Sequence, residues 1–209
     1  MTEEEYNEFY KSDFHDFADP ARTIKVHAEG ALTYDALMFI PSRAPYDLYS
    51  KDFKKGLALY SSNVMIMEKC EELLPDYFNF VRGVVDSQDL QLNISRETLQ
   101  HNSQLRAIAK KLEKKIKGEL ATMRDNDREA YEAFFEQFGR GLKYGIYTSY
   151  GMNKGEFADL LLFYSAKEQK MITLDEYIAA MPEGQYSIFY AAGESVERLA
   201  KMPVVKAVM

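Results

Sequence analysis

Between residues 96 and 124 a single apolar stripe dictates much of what this chain can build. Leu99, Leu105, Ile108, Ala109, Leu112, Ile116, Leu120 and Met123 recur at steps that keep them on one helix face. If continuous from 96 to 124, such a helix is about 43 Å long. It must lay that stripe on a second apolar layer. The lysine-rich KKLEKKIK at 110–117 sits opposite the stripe and reads as its solvated face, not as a site for an anionic partner.

The first hundred residues supply the other layer. Thr2 is a natural cap for a helix through EEEYNEFYKS, and Glu3, Glu4 and Glu5 suit its first turn. Pro20 then discourages helix at Ala18 and Asp19. RTIKVHAEG and ALTYDALMFIP read as two strands hinged near Gly30, the second apolar enough at Ala36–Ile40 to be central. LALYSSNVMIM predicts one or two more strands. A helix is expected around 76–80, and a short strand at 83–85. DNDRE breaks the long helix, and a second is predicted over 128–146 with Tyr131, Phe134, Phe135, Phe138 and Leu142 inward. After GMNKG come an expected helix through FADLLLFYS, a helix at TLDEYIAAM capped by Thr173, a strand at QYSIFYAAG and a helix at SVERLAKM.

The expected class is therefore α/β (α+β): two α-β-α sandwich units, the larger first, joined by a helical connector. The boundaries fall at 1–125, 126–155 and 156–209. The ending inside an amphipathic pattern (Val204, Val205, Val208) suggests a piece of a longer protein.

Charge and chemistry narrow the function. A net charge of −7 argues against a nucleic-acid partner, and nothing approaches the length of a membrane span. The single cysteine, Cys70, forms no internal disulfide and suits a reducing cytoplasm. His15, His27 and His101 show no metal-ligand spacing with it, so no metal site is expected. GRGLKYG at 139–145 misses the dinucleotide glycine spacing and follows helix instead of strand. No nucleophile elbow or P-loop supports an autonomous hydrolase.

Two spots keep a functional reading. Phe14 and Phe17 lie in the polar stretch SDFHDFADP, where each either plugs into the neighbouring structure or stays out as an apolar contact for a partner. Within LQLNISRETLQ at 90–100, Ser95 reads as an N-cap. Arg96 then occupies the first helical position, where the helix dipole disfavours a cation, with Gln100 one turn later. Either Arg96 pairs with Asp86, Asp89 or Glu97, or it is offered to a phosphate brought from elsewhere.

The phrases FIPSRAPYDLY, MEKCEELLPDYFNFVRGVVDS and LNISRETLQ, with EEEYNEFYKS before them and QYSIFYAAGES after, resemble the middle domain of the heat-shock protein 90 chaperones in order and spacing. The resemblance covers essentially the whole chain and is strongest to bacterial members.

It implies a middle domain of a cytoplasmic, homodimeric, ATP-driven chaperone, with partners in its own N-terminal nucleotide-binding domain and in client proteins. ATP, with Mg, would be held by that N-terminal domain, and dimerisation would use a C-terminal domain; neither lies in this chain. By the same resemblance Arg96 reaches the terminal phosphate of ATP, Gln100 assists it, Asn93 shapes the loop and Phe17 contacts clients. Gln91 stands where many members have proline, Ser62 and Asn63 where a basic pair is usual, and Met65 where phenylalanine is usual. The alternative is a passive protein-binding module whose loop arginine is purely structural.

Overall fold

The structure is a computed structural model that describes residues 1–90 and 102–208. The chain divides into two compact units, Met1–Gly145 and Ile146–Met209. Both are mixtures of helix and sheet, the mixed α/β class expected.

In the first unit, helix α1 (Glu3–Asp13) begins at a full capping box: the Thr2 side chain accepts from the Glu5 N–H and the Glu5 carboxylate accepts from the Thr2 N–H. Five strands follow: β1 (Arg22–Ala28), β2 (Tyr34–Ile40), β3 (Leu57–Ser61), β4 (Val64–Cys70) and β5 (Arg82–Ser87). They form one sheet in the order β1-β2-β5-β3-β4, with β5 antiparallel to β2 and parallel to β3. On β2, Phe39 packs its ring against Phe9, Tyr10 and Phe14 at centroid distances of 6.1, 5.1 and 6.0 Å. Met38 and Ile40 alternate onto the opposite face and are equally buried. Covering of both faces explains why this strand reads as a continuous apolar run.

The long helix α2 runs from Ser103 to Asn126 and buries Leu105, Ile108, Leu112, Ile116, Leu120 and Met123 of the stripe the periodicity singled out; Ala109 is half-buried, and Leu99 lies outside the described residues. It does not run unbroken from 96. Asn102 has an extended backbone (φ −72°, ψ 116°), and its side chain accepts from the Gln104 and Leu105 N–H groups at 2.8 and 3.0 Å. An asparagine cap satisfies amide groups that a continuing helix would have used, so it sets the start. Helix α3 (Arg128–Thr148) presents Tyr131, Phe134 and Phe138 inward, and Phe80 stacks on Phe138 at 4.4 Å. The stretch at 76–80, expected as helix, holds only a single 3-10 turn at Asp76–Phe78. Its neighbour Phe80 is spent in the aromatic cluster.

In the second unit two expectations change. The helix predicted through FADLLLFYS stops early, as Lys154–Phe157 followed by a 3-10 turn at Ala158–Leu160. Phe163–Ser165 then pairs antiparallel with Lys170–Ile172. Three successive leucines, Leu160, Leu161 and Leu162, are all buried, a pattern that serves a buried extended run as well as a helix. The stretch QYSIFYAAG is not a strand, and Tyr186 and Tyr190 are 94% and 89% exposed. Its aromatic and β-branched residues favour strand, but a strand exists only where a neighbouring one accepts its hydrogen bonds. Thr173 does cap the helix Leu174–Ala179, again through a capping box, with Glu176.

Candidate functional site

Arg96, Gln100 and Asn93 lie outside the described residues, as does Gln91. What the structure does describe is how both ends of their segment are held. On the upstream side β5 ends at Ser87, whose hydroxyl donates to the Thr33 carbonyl at 2.8 Å. The Thr33 N–H donates in turn to Asp89 Oδ2 at 2.6 Å. Leu90 is buried, and its carbonyl accepts from Ser61 Oγ at 2.6 Å, a bond wholly inside the protein. On the downstream side Asn102 caps α2, and Leu105 is locked into the core. The residues flanking 91–101 are thus fixed, one side pinned to the end of β3 and the other to a helix cap.

Ser61 carries no sequence signal; it is one serine at the end of a strand, and sequence reasoning passed over it. Its role is testable. Removing its hydroxyl in Ser61→Ala leaves the buried Leu90 carbonyl without its donor, at a cost of about 1–3 kcal/mol. The expected result is a lower urea midpoint with an unchanged m-value. An unaltered midpoint would show that water takes over the bond.

Two of the carboxylates offered by the sequence as partners for Arg96 stand at this upstream root. Asp89 is engaged by Thr33, as above. Asp86 Oδ2 accepts from the Asn63 N–H at 2.9 Å, while its Oδ1 is buried with no hydrogen-bond partner among the described residues. The Asn63 amide reaches Asp86 because the β3–β4 turn is left-handed at Ser62 and Asn63 (φ 48° and 66°). Two such residues in sequence make the tight hairpin connection that follows strand twist, and asparagine tolerates it well. Met65, just beyond that turn, is half exposed.

Phe17 occupies a different place. Tyr10 is fully buried, and its hydroxyl donates to Asp16 Oδ2 at 2.6 Å. Burial, with the Asp16 carboxylate beside it, raises the Tyr10 phenol well above its ordinary range. Asp16 Oδ1 accepts from the Ala18 N–H at 3.1 Å, which folds the chain tightly around residue 17. His15 enters this turn in the left-handed region (φ 52°). Phe14 goes inward onto Phe39, whereas Phe17 is 101% exposed. Of the two aromatics the sequence left open, one is half-buried against the Phe39 ring and the other is held out on a braced turn.

Nucleophilic chemistry finds little support in what is described. Cys70 is buried, and burial, followed by the neighbouring Glu72 carboxylate, pushes its thiol up to about 12. Among the described residues no group of three or more His, Cys, Asp or Glu is arranged to hold a metal ion, and no helix is long and apolar enough to cross a membrane.

The class so far defined is a mixed helix-and-sheet domain that anchors both flanks of residues 91–101 and holds Phe17 out on a braced turn. Comparison with known proteins makes the class specific. The family described as Hsp90 protein matches residues 1–209, and the chain belongs to the Hsp90 family. It is 55% identical over 203 residues, 97% of its length, to the chaperone protein HtpG of Alkaliphilus metalliredigens. It is 54% identical over its whole length to HtpG of Clostridium perfringens. These alignments take in 32% and 34% of the relatives, so the chain spans about a third of the curated proteins it matches. Its fold is similar to the middle domain of a putative heat shock protein of Plasmodium falciparum, with a TM-score of 0.83 and 30% identity, covering 100% of this chain and 81% of that one.

Proposed function

We propose that this chain serves as the middle domain of a cytoplasmic, ATP-dependent chaperone and lends Arg96 to ATP held by the N-terminal domain of the same protein. The observation that carries this reading is the match to Hsp90 along all 209 residues, joined to the likeness to a heat-shock middle domain. Arg96 approaches the terminal phosphate when the two domains dock, and Gln100 assists from the same segment. Asn93 shapes the segment. Mg would be held with ATP in the other domain and would supply charge neutralisation at the phosphates, while this chain would contribute the Arg96 guanidinium. A planar guanidinium matches two phosphate oxygens at once, which an ammonium does not. Hydrolysis then depends on docking, a form of conformational gating.

Phe17 contributes a contact for client proteins, and the full-length chaperone is a homodimer through its C-terminal domain. The division into a larger α/β unit (1–125), a helical connector (126–155) and a smaller α/β unit (156–209) is part of the same reading.

The first test uses the 209-residue chain alone. Isothermal calorimetry is expected to give no measurable heat with Mg-ATP, and a phosphate-release assay no turnover. Robust hydrolysis by the pure chain would sink the proposal and revive an autonomous hydrolase.

A further inference from the structure

The turn that holds Phe17 out also places it beside a shallow concavity of about 470 Å³, lined by Glu8, Lys11, Ser12, His15, Asp16 and Phe17 itself. Its lining holds the carboxylates of Glu8 and Asp16 with Lys11 and His15, and the segment that forms it is acidic along its length. From residue 3 to residue 19 the chain carries seven carboxylates (Glu3, Glu4, Glu5, Glu8, Asp13, Asp16 and Asp19) against one lysine. That lysine is already taken, since Lys11 Nζ lies 2.9 Å from Asp19 Oδ1. Glu8, exposed on the wall of the concavity, has no ion-pair partner among the described residues. What sets Phe17 apart is its seat on the rim of a concavity, where an apolar side chain can be taken up and the neighbouring charges bias which one.

We propose that this patch selects client segments in which an aromatic or long aliphatic side chain is flanked by lysine or arginine. The inference rests on the reading of Phe17 as a client contact and adds the chemistry of the client. The apolar side chain enters the concavity against the Phe17 ring. A flanking cation then meets Glu8 or the open face of that ring, where an ammonium or guanidinium is attracted by the ring's electron density. The surplus of carboxylates repels acidic segments and so provides discrimination more than raw affinity. The brace between Tyr10, Asp16 and Ala18 fixes the ring before the client arrives, which lowers the entropy lost on binding.

The test measures fluorescence anisotropy of two labelled peptides with the 209-residue chain: one has a Phe-Leu pair between two pairs of lysines, the other has glutamates in place of the lysines. The lysine peptide is expected to bind at least about tenfold more tightly at low salt, with the advantage shrinking at ~1 M salt, where the Debye length falls to ~3 Å. Phe17→Ala is expected to weaken the lysine peptide about tenfold. Glu8→Gln is expected to weaken it about threefold, in line with an exposed charge pair. Both side chains are exposed, so circular dichroism should find the variants folded like the parent.

Equal binding of the two peptides, with Phe17→Ala weakening both, would overturn the charge selection and leave Phe17 as a general client contact. Binding of the lysine peptide that is indifferent to Phe17→Ala would remove Phe17 from the client surface, and the inference with it.

Discussion

Arg96→Ala in the full-length chaperone is expected to lower ATP turnover by up to about 10³-fold while leaving nucleotide affinity nearly unchanged. The asymmetry between the two effects is the informative part. On the proposed reading ATP in the ground state is held by the N-terminal domain, so its dissociation constant should barely register a side chain on another domain. On the same proposed reading the arginine acts where negative charge grows on the transferring phosphoryl oxygens, and a rate loss of about 10³ would correspond to about 4 kcal/mol of transition-state stabilisation. Arg96→Lys should recover only part of the rate, because a point charge lacks the two-pronged match to phosphate oxygens.

The measurement is steady-state phosphate release, paired with nucleotide titration and an unfolding curve on the same variant. An unchanged rate in a folded variant would favour the passive binding module, in which the arginine is structural. A loss of rate accompanied by a lowered unfolding midpoint would point to a salt bridge instead. Leu90 and Asn102, which hold the ends of the segment, remain in place in this variant, so the comparison isolates the side chain.

Gly83→Ala should produce the largest loss of stability. Gly83 lies on β5 opposite Met38 of β2, at a φ of +152°. A methyl group there would sit 2.2 Å from the Leu37 carbonyl oxygen and 2.8 Å from the Met38 Cα. These are backbone atoms of the neighbouring strand. β5 cannot retreat from them, because β3 holds its other edge through Val84, Val85 and Asp86. Overpacking and backbone strain together should cost about 3 kcal/mol or more. For a chain of this size that is a fall of about 6–12 °C in Tm. The contrast is Gly118→Ala, on the exposed side of α2 with nothing within 4 Å of the added carbon. There the same chemical change should stabilise by about 0.5–1 kcal/mol, since alanine is the better helix former. Equal effects at the two glycines would mean that the sheet yields at Gly83.

The two long helices and the strands of the first unit were the legible part of this fold; the helices expected at 76–80 and through FADLLLFYS were not. The stripe from Leu105 to Met123 is buried as its spacing required, and Thr2 and Thr173 cap where their sequence neighbours said they would. The candidate-site residues have a different source. Arg96, Gln100, Asn93 and Phe17 follow from family phrases, while charge and spacing alone left Arg96 divided between a salt bridge and a phosphate. Ser61 was invisible, because its partner is the carbonyl of a residue 29 positions away.

By itself, then, the sequence determined those elements whose causes lie within a few residues: helix faces with a period near 3.6 and the capping boxes at Thr2 and Thr173. Only the tertiary structure decided that β5 lies between β2 and β3, that Phe14 turns inward while Phe17 stays in water, and that Phe163–Ser165 pairs as a strand while QYSIFYAAG does not. The physical reason is the range of the interactions. A helix closes its hydrogen bonds within four residues, so local pattern suffices to specify it. A strand or an aromatic acquires its state from a partner that may lie anywhere along the chain, and neither propensity nor hydropathy says where that partner is.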